Sequence, residues 1–175
     1  QVLNKPEAVA LAVDKRKTFE VLDMEGVNIP TYFTNNRDAE QYASEHAATL
    51  VARSTATGHS GRGITIVRPG EPIPANTVLI TQFIKKKAEY RFHVVNGEII
   101  LEAQKRKRND FEQTGDQHMI RSYDNGWVFA INNIEGIVDA YREEAILAVQ
   151  ALGLDFGAVD YMVDHEGCGY VLEIN

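Results

Sequence analysis

The sequence holds a single cysteine, Cys168, so no disulfide can form within the chain, and the reducing cytoplasm is the expected compartment. No apolar run approaches the ~20 residues that cross a bilayer. The opening residues, from Gln1 to Pro6, have neither the apolar core nor the small-residue cleavage site of a secretory signal. A surplus of positive charge is missing too: the formal net charge is -7, which argues against a general nucleic-acid or anionic-membrane binder. Internal repeats and low-complexity tracts are also absent. At 175 residues the chain fits one domain or two small lobes that share a cleft.

What is present is ordinary in bulk and uneven in detail. Hydrophobic residues at 44% and charged residues at 25% suit a globular protein with a core. The basic residues, however, are concentrated. Lys85, Lys86, Lys87, Arg91, Lys105, Arg106, Lys107 and Arg108 fall within one short segment. An acidic chain with one basic segment reads as a binder of a compact anion; a solvated basic face is the plainer alternative.

Apolar residues at 19, 21, 22 and 24 predict a helix over 15–26, with Asp14 at its start and Gly26 as its stop. A short strand at 31–34 and an amphipathic helix over 36–46 follow. Strands are expected at 50–53, 63–67 and 77–84, the last a nearly continuous apolar run. Asn96-Gly97 between 90–95 and 99–105 predicts a tight hairpin. Residues 106–126 read as mobile polar loop, 134–152 as a long helix, and 156–163 with 169–175 as a final hairpin. Helices alternating with mostly antiparallel hairpins, in two groups divided near residue 85, make the expected fold class α+β. The lobes are 1–84, with the lead-in helix and a glycine loop, and 85–175, with the final hairpin. The absence of an initial Met and the ending at Asn175, in mid-strand, predict a piece of a longer protein.

Three places carry candidate chemistry. Gly58, Ser60, Gly61 and Gly63 lie in a loop between two strands, where glycines let backbone N–H groups turn toward a bulky anion. No Gly-Lys-Ser/Thr follows, which excludes a Walker loop, and the strand after Gly63 excludes a Rossmann turn. Ordinary hairpin glycines remain the alternative. Arg53, ending the strand that leads in, aims at the same space. The second place is the final hairpin. Asp160 interrupts an apolar run, and Glu173 and Asn175, two apart, share one face of the partner strand. Three oxygen ligands from rigid strands suit Mg²⁺; a solvent-facing polar side is the alternative. The third is Arg91 and Lys105 on paired strands, placed to clamp phosphoryl oxygens. His59 and His93 read as structural or solvent-facing, and Cys168 has no histidine partner.

Taken in order, these segments resemble the ATP-grasp superfamily over nearly the whole chain. The resemblance runs from Asp14 and Lys15 through Arg53, Gly63, Gln82-Phe83-Ile84 and Glu89-Tyr90-Arg91, and it is most specific at Asp155–Asp160 and Tyr170–Asn175. The closest kind is the ligases that add glutamate to a protein or join short peptides. It implies an ATP-grasp fold of two α+β lobes holding ATP between them, and a cytoplasmic ATP- and Mg²⁺-dependent ligase, with Mn²⁺ as an alternative ion. By position it implies adenine at the linker of Gln82 and Phe83, a nucleotide contact at Glu89, and metal at Asp160, Glu173 and Asn175. Arg91, Lys105 and Arg121 would serve the phosphates or the acyl substrate, and Asn125 would join them. Arg53 stands where the family has a lysine, and the two differ in fork geometry. The expected partners are a carboxylate substrate and an amine or other nucleophile, with no membrane and with an oligomer possible. A nucleotide-binding module without catalysis and a nucleic-acid binder using the basic segment are the alternatives.

Overall fold

The computed structural model describes residues 3–57 and 63–175. Two helices open the chain, α1 (Pro6–Val13) and α2 (Lys15–Met24). Asp14 separates them and caps α2, accepting from Arg16 N at 3.0 Å and Lys17 N at 3.3 Å. There follow β1 (Tyr32–Phe33), α3 (Asn36–His46), β2 (Leu50–Arg53), β3 (Ile64–Val67) and β4 (Leu79–Gln82). The second half holds β5 (Lys86–Val95), β6 (Glu98–Lys107), β7 (Trp127–Ala130), α4 (Asp139–Ala151), β8 (Phe156–Asp164) and β9 (Gly169–Ile174).

The strands form two antiparallel sheets, a smaller one in the order β1-β4-β2-β3 and a larger one in the order β7-β6-β5-β8-β9. The α+β architecture therefore stands as expected. Each sheet has its own core. Ala39 of α3 packs with Leu50, Ala52, Val67, Ile73 and Ile80 in the smaller one. In the larger one, α4 lays Ala145, Ala148 and Val149 on Tyr90, Phe92, Val159 and Tyr161.

The lead-in helices join this second core. Leu22 and Val27 are buried within it, and Leu11 and Ala12 pack against it. Asn4 ties the start of the chain to the turn before β8, donating to Asp155 Oδ2 at 3.0 Å and to the Phe156 carbonyl at 2.9 Å. The sequence order placed the lead-in helix with the first lobe; its apolar face instead belongs to the larger sheet.

Other boundaries moved for local reasons. Asn96 and Gly97 both take positive φ, 49° and 79°, so the β5–β6 turn is the tight hairpin expected. By contrast, α4 begins at Asp139 rather than 134, because Asn133 at φ 50° and Gly136 at φ 78° break the helical path before it. Ala140, in the first turn of α4, is exposed. The long segment after β6 contains two 3₁₀ turns, Gly115–His118 and Tyr123–Asn125. It leads into β7, a strand the sequence reading left unassigned.

Alternation along the larger sheet makes it two-faced. On β5, Tyr90, Phe92 and Val94 turn to the helices while Glu89 and Arg91 turn away. Phe92, fully buried, should be among the costliest single truncations. Phe92→Ala is expected to lower unfolding free energy by about 3–5 kcal/mol in denaturant titration, whereas Met24→Ala, at a side chain 85% exposed, should leave it unchanged.

Candidate active site

Between the sheets runs a cleft of about 500 Å³. The smaller sheet contributes Val51, Arg53, Ile64, Ile66 and Thr81, and the link to β5 contributes Gln82, Phe83 and Ile84. The larger sheet contributes Glu89, Arg91, Lys105, Phe129, Asp160, Met162, Leu172, Glu173 and Asn175. Residues 119–123 close one side, and Lys15 enters from the start of α2. Ten candidate residues therefore meet in one place: Arg53, Gln82, Phe83, Glu89, Arg91, Lys105, Arg121, Asp160, Glu173 and Asn175.

Two do not. Asn125 lies outside the cleft lining, its side-chain amide donating to the Ile120 carbonyl at 2.7 Å within the turn. Gly63 lies outside it too; at φ 71° its carbonyl accepts from Ser54 N at 2.9 Å, and a Cβ there would meet Ser54 Oγ at 2.6 Å. Gly58, Ser60, Gly61 and His59 fall outside the described residues.

A β-bulge sets the metal-candidate face. Asp160 pairs with Glu173, but the next residue, Tyr161, pairs with Val171, so Leu172 is an extra residue in β9. Leu172 and Glu173 consequently both face the cleft, while Val171 and Ile174 on either side are buried in the core. Asn175 lies beyond, its backbone bonded both ways to Ala158 at 2.7 and 2.8 Å. The oxygen donors of Asp160, Glu173 and Asn175 are hard ligands of the kind Mg²⁺ prefers. Among the described residues no three His, Cys, Asp or Glu side chains gather around one point. The set fits an ion that brings further oxygen ligands with it.

Charge dominates the rest. Arg91 grips Asp160 with two bonds, Nε to Oδ1 at 2.5 Å and Nη2 to Oδ2 at 2.8 Å. Burial pushes the Asp160 carboxyl above its ordinary value despite Arg91. Burial pulls the other way on Arg91, but the bonds and charge of Asp160 hold it above its own. The pair is uneven because the carboxylate is the more deeply enclosed partner, 11% exposed against 27%.

Glu89 is fully enclosed between two ammonium groups, Lys86 at 3.0 Å and Lys105. Burial alone would raise its carboxyl, but Lys86 and Lys105 together hold it below the ordinary range. Burial also pulls Lys86 and Arg53 down, opposed by Glu89 and Glu173 respectively. Arg121 is lowered by burial as well, stacks on Trp127 at 4.5 Å, and donates to the Lys86 carbonyl at 3.0 Å. Phe129 lies under both Arg91 at 4.2 Å and Lys105 at 4.8 Å.

The basic segment thus divides. Lys86, Arg91 and Lys105 turn into the cleft, Arg106 binds the Asn133 carbonyl, and Arg108 pairs with Asp110 at 2.7 Å. Sequence reasoning missed the site roles of Lys15, Lys86, Trp127 and Phe129. Lys15 carried a signal in following a helix cap at Asp14, and Lys86 in belonging to the basic segment; Trp127 and Phe129 carried none. The Trp127 Nε1 is the one buried side-chain donor without a partner among the described residues.

No protein-family model matches the sequence, and no curated protein matches it significantly. Solved structures do. The ATP-grasp ligase PsnB complexed with a minimal precursor is similar over 99% of this chain and 55% of its own, with a TM-score of 0.73 and 18% identity. The chain has the ATP-grasp fold. PsnB with minimal precursor, Mg and ADP gives a TM-score of 0.70 at 17% identity, over 99% of this chain and 53% of that one. D-alanine–D-alanine ligase from Bacillus anthracis gives 0.71 at 18% identity, over 97% and 58%. The chain spans a little over half the length of these ATP-grasp proteins.

The buried Glu89 gives a pH signature. Its folded carboxyl titrates below the ordinary glutamate value, so its stabilisation is present in full above that value and is lost as pH falls through the lower one. Glu89→Gln strands two enclosed ammonium groups and should cost about 3–5 kcal/mol near neutrality. The gap between wild type and variant in denaturant unfolding should hold steady above about pH 5 and narrow below it.

Proposed function

We propose that this chain is the nucleotide-holding part of an ATP- and Mg²⁺-dependent ligase that joins a carboxylate to an amine or other nucleophile. The observation that carries the reading is the cleft's composition. Six cations, Lys15, Arg53, Lys86, Arg91, Lys105 and Arg121, line it together with three carboxylates, Glu89, Asp160 and Glu173, and with the apolar Val51, Ile66, Phe83, Met162 and Leu172. A flat base with a polyphosphate tail calls for that combination of apolar and cationic groups. The ATP-grasp fold, and the Mg and ADP held by PsnB, support the same reading.

The proposed roles follow the chemistry of each side chain. Gln82 and Phe83 meet the base at the link between β4 and β5, and Glu89 contacts the nucleotide. Arg53 and the loop of Gly58, Ser60 and Gly61 hold phosphate oxygens. Asp160, Glu173 and Asn175 would hold Mg²⁺, or Mn²⁺ in its place; the ion neutralises phosphate charge and aligns the transfer. Arg91, Lys105 and Arg121 stabilise the transferring phosphoryl group and orient the substrate carboxylate. A carboxylate oxygen displaces ADP from the γ-phosphorus to give an acylphosphate. The nucleophile then attacks the acyl carbon, expels inorganic phosphate and loses its proton. The precursor in the PsnB complexes favours a peptide as one of the two partners. The cytoplasm supplies both nucleotide and a reducing environment for Cys168.

Calorimetry of ATP binding with and without Mg²⁺, on wild type and Glu173→Ala, tests the reading. Binding that needs Mg²⁺ and weakens at least about tenfold in the variant, 1.4 kcal/mol, is expected. Wild type that binds no ATP would sink the proposal. Binding without phosphate release on any peptide or amino-acid acceptor would leave a nucleotide-binding module and defeat the ligase assignment.

A further inference from the structure

Both carboxylates of the proposed metal centre already carry a cation that belongs to the protein. Lys15 Nζ lies 2.7 Å from Glu173 Oε1, with the two side chains only 12% and 27% exposed. Arg91 holds both oxygens of Asp160. The two cations come from unrelated parts of the chain. Lys15 is the first residue of α2, aimed by the Asp14 cap and by its own backbone N–H, which donates to the Ala56 carbonyl at 3.0 Å. Arg91 is directly opposite Asp160 in the β5–β8 register.

We infer that Lys15 and Arg91 are resident counter-ions that close the metal centre to a free divalent cation and open it only when a polyanionic ligand draws them away. This rests on the proposed metal role of Asp160 and Glu173. A lone divalent ion would have to displace an ammonium and a forked guanidinium into a cleft where Arg53, Lys86, Lys105 and Arg121 already outnumber the remaining acid, Glu89. Glu89, the other acid among the described residues of the cleft, is already held by Lys86 and Lys105, and drawing an enclosed cation off a carboxylate is costly. A polyphosphate supplies anions for both cations, so each ligand removes the obstacle to the other. Metal and nucleotide then bind with positive coupling, and the coupling is reciprocal: each tightens the other by the same factor. The lack of any protein-only cluster of three metal ligands among the described residues fits a centre completed by its partner ligand.

Titration with MnCl₂ alone, followed by the paramagnetic resonance of free Mn²⁺, tests this without turnover. Wild type should bind Mn²⁺ alone only weakly at the candidate centre, and adding ADP should tighten that binding by a factor of about 5–150, typical of such coupling. Lys15→Met, with Glu173 released, should bind Mn²⁺ alone at least about tenfold more tightly than wild type. Lys15→Arg should behave as wild type, and the exposed Lys107→Met should show that loss of one positive charge elsewhere has no such effect. Wild type that binds Mn²⁺ equally well with and without ADP overturns the inference, and needs no variant to do so. So does a folded Lys15→Met that gains no affinity. If wild type binds no nucleotide, the ligase proposal falls, while the comparison of Lys15→Met with wild type in Mn²⁺ alone still decides this one.

Discussion

Glu89 is enclosed at the back of the cleft with an ammonium on either side, and Asp160 is enclosed beside it in the fork of Arg91. Each of these two carboxylates has a cation on a neighbouring strand, and the geometry of the larger sheet follows from that need. β5 must carry Glu89 and Arg91 on one face while Tyr90, Phe92 and Val94 build the core on the other. β8 must bring Asp160 directly across from Arg91, and β6 must bring Lys105 to Glu89. A slip of one residue in any of these pairings would send charge into the core and apolar groups into the cleft.

The same arrangement reconciles an acidic protein with an anionic ligand. The net charge is -7, yet the cleft walls hold six cations and only three carboxylates, so the negative excess lies wholly outside the cleft. Low-dielectric surroundings strengthen each of those interactions relative to water and confine the positive field to the opening. Phe129 and Trp127, lying under the guanidinium and ammonium groups, hold long side chains in place without competing for their hydrogen bonds. β7 thus serves the site although none of its residues is charged.

Local chemistry was legible in the sequence, and long-range compensation was not. The Asn96-Gly97 turn, the Asp14 cap and the lone acid at 160 announced themselves because each acts within a few residues of its neighbours. The face shared by Glu173 and Asn175 was also legible. The bulge that puts Glu173 beside Asp160 was not, since a run of Val171, Leu172 and Glu173 alternates no differently with or without it. α1 escaped notice because its apolar residues show no period, with Val9 and Val13 exposed and Ala8 buried. Lys15 and Glu173 are 158 residues apart, and nothing near either one names the other. The side of the fold to which the lead-in helices belong was hidden for the same reason: a helix shows its apolar face but not what covers it.

The extra residue in β9 has a consequence for how this segment can change over time. Before Leu172 the strand alternates in one phase, and after it in the opposite phase. Replacing Leu172 by another apolar side chain alters one wall of the cleft and leaves that phase intact. Deleting it would restore a regular ladder, with Glu173 still across from Asp160 and Ile174 still in the core, and would remove one side chain from the cleft wall. At this one place in the strand lineages can therefore differ by loss of a residue as well as by exchange, while the residues paired with Tyr161 and Asp160 keep their faces.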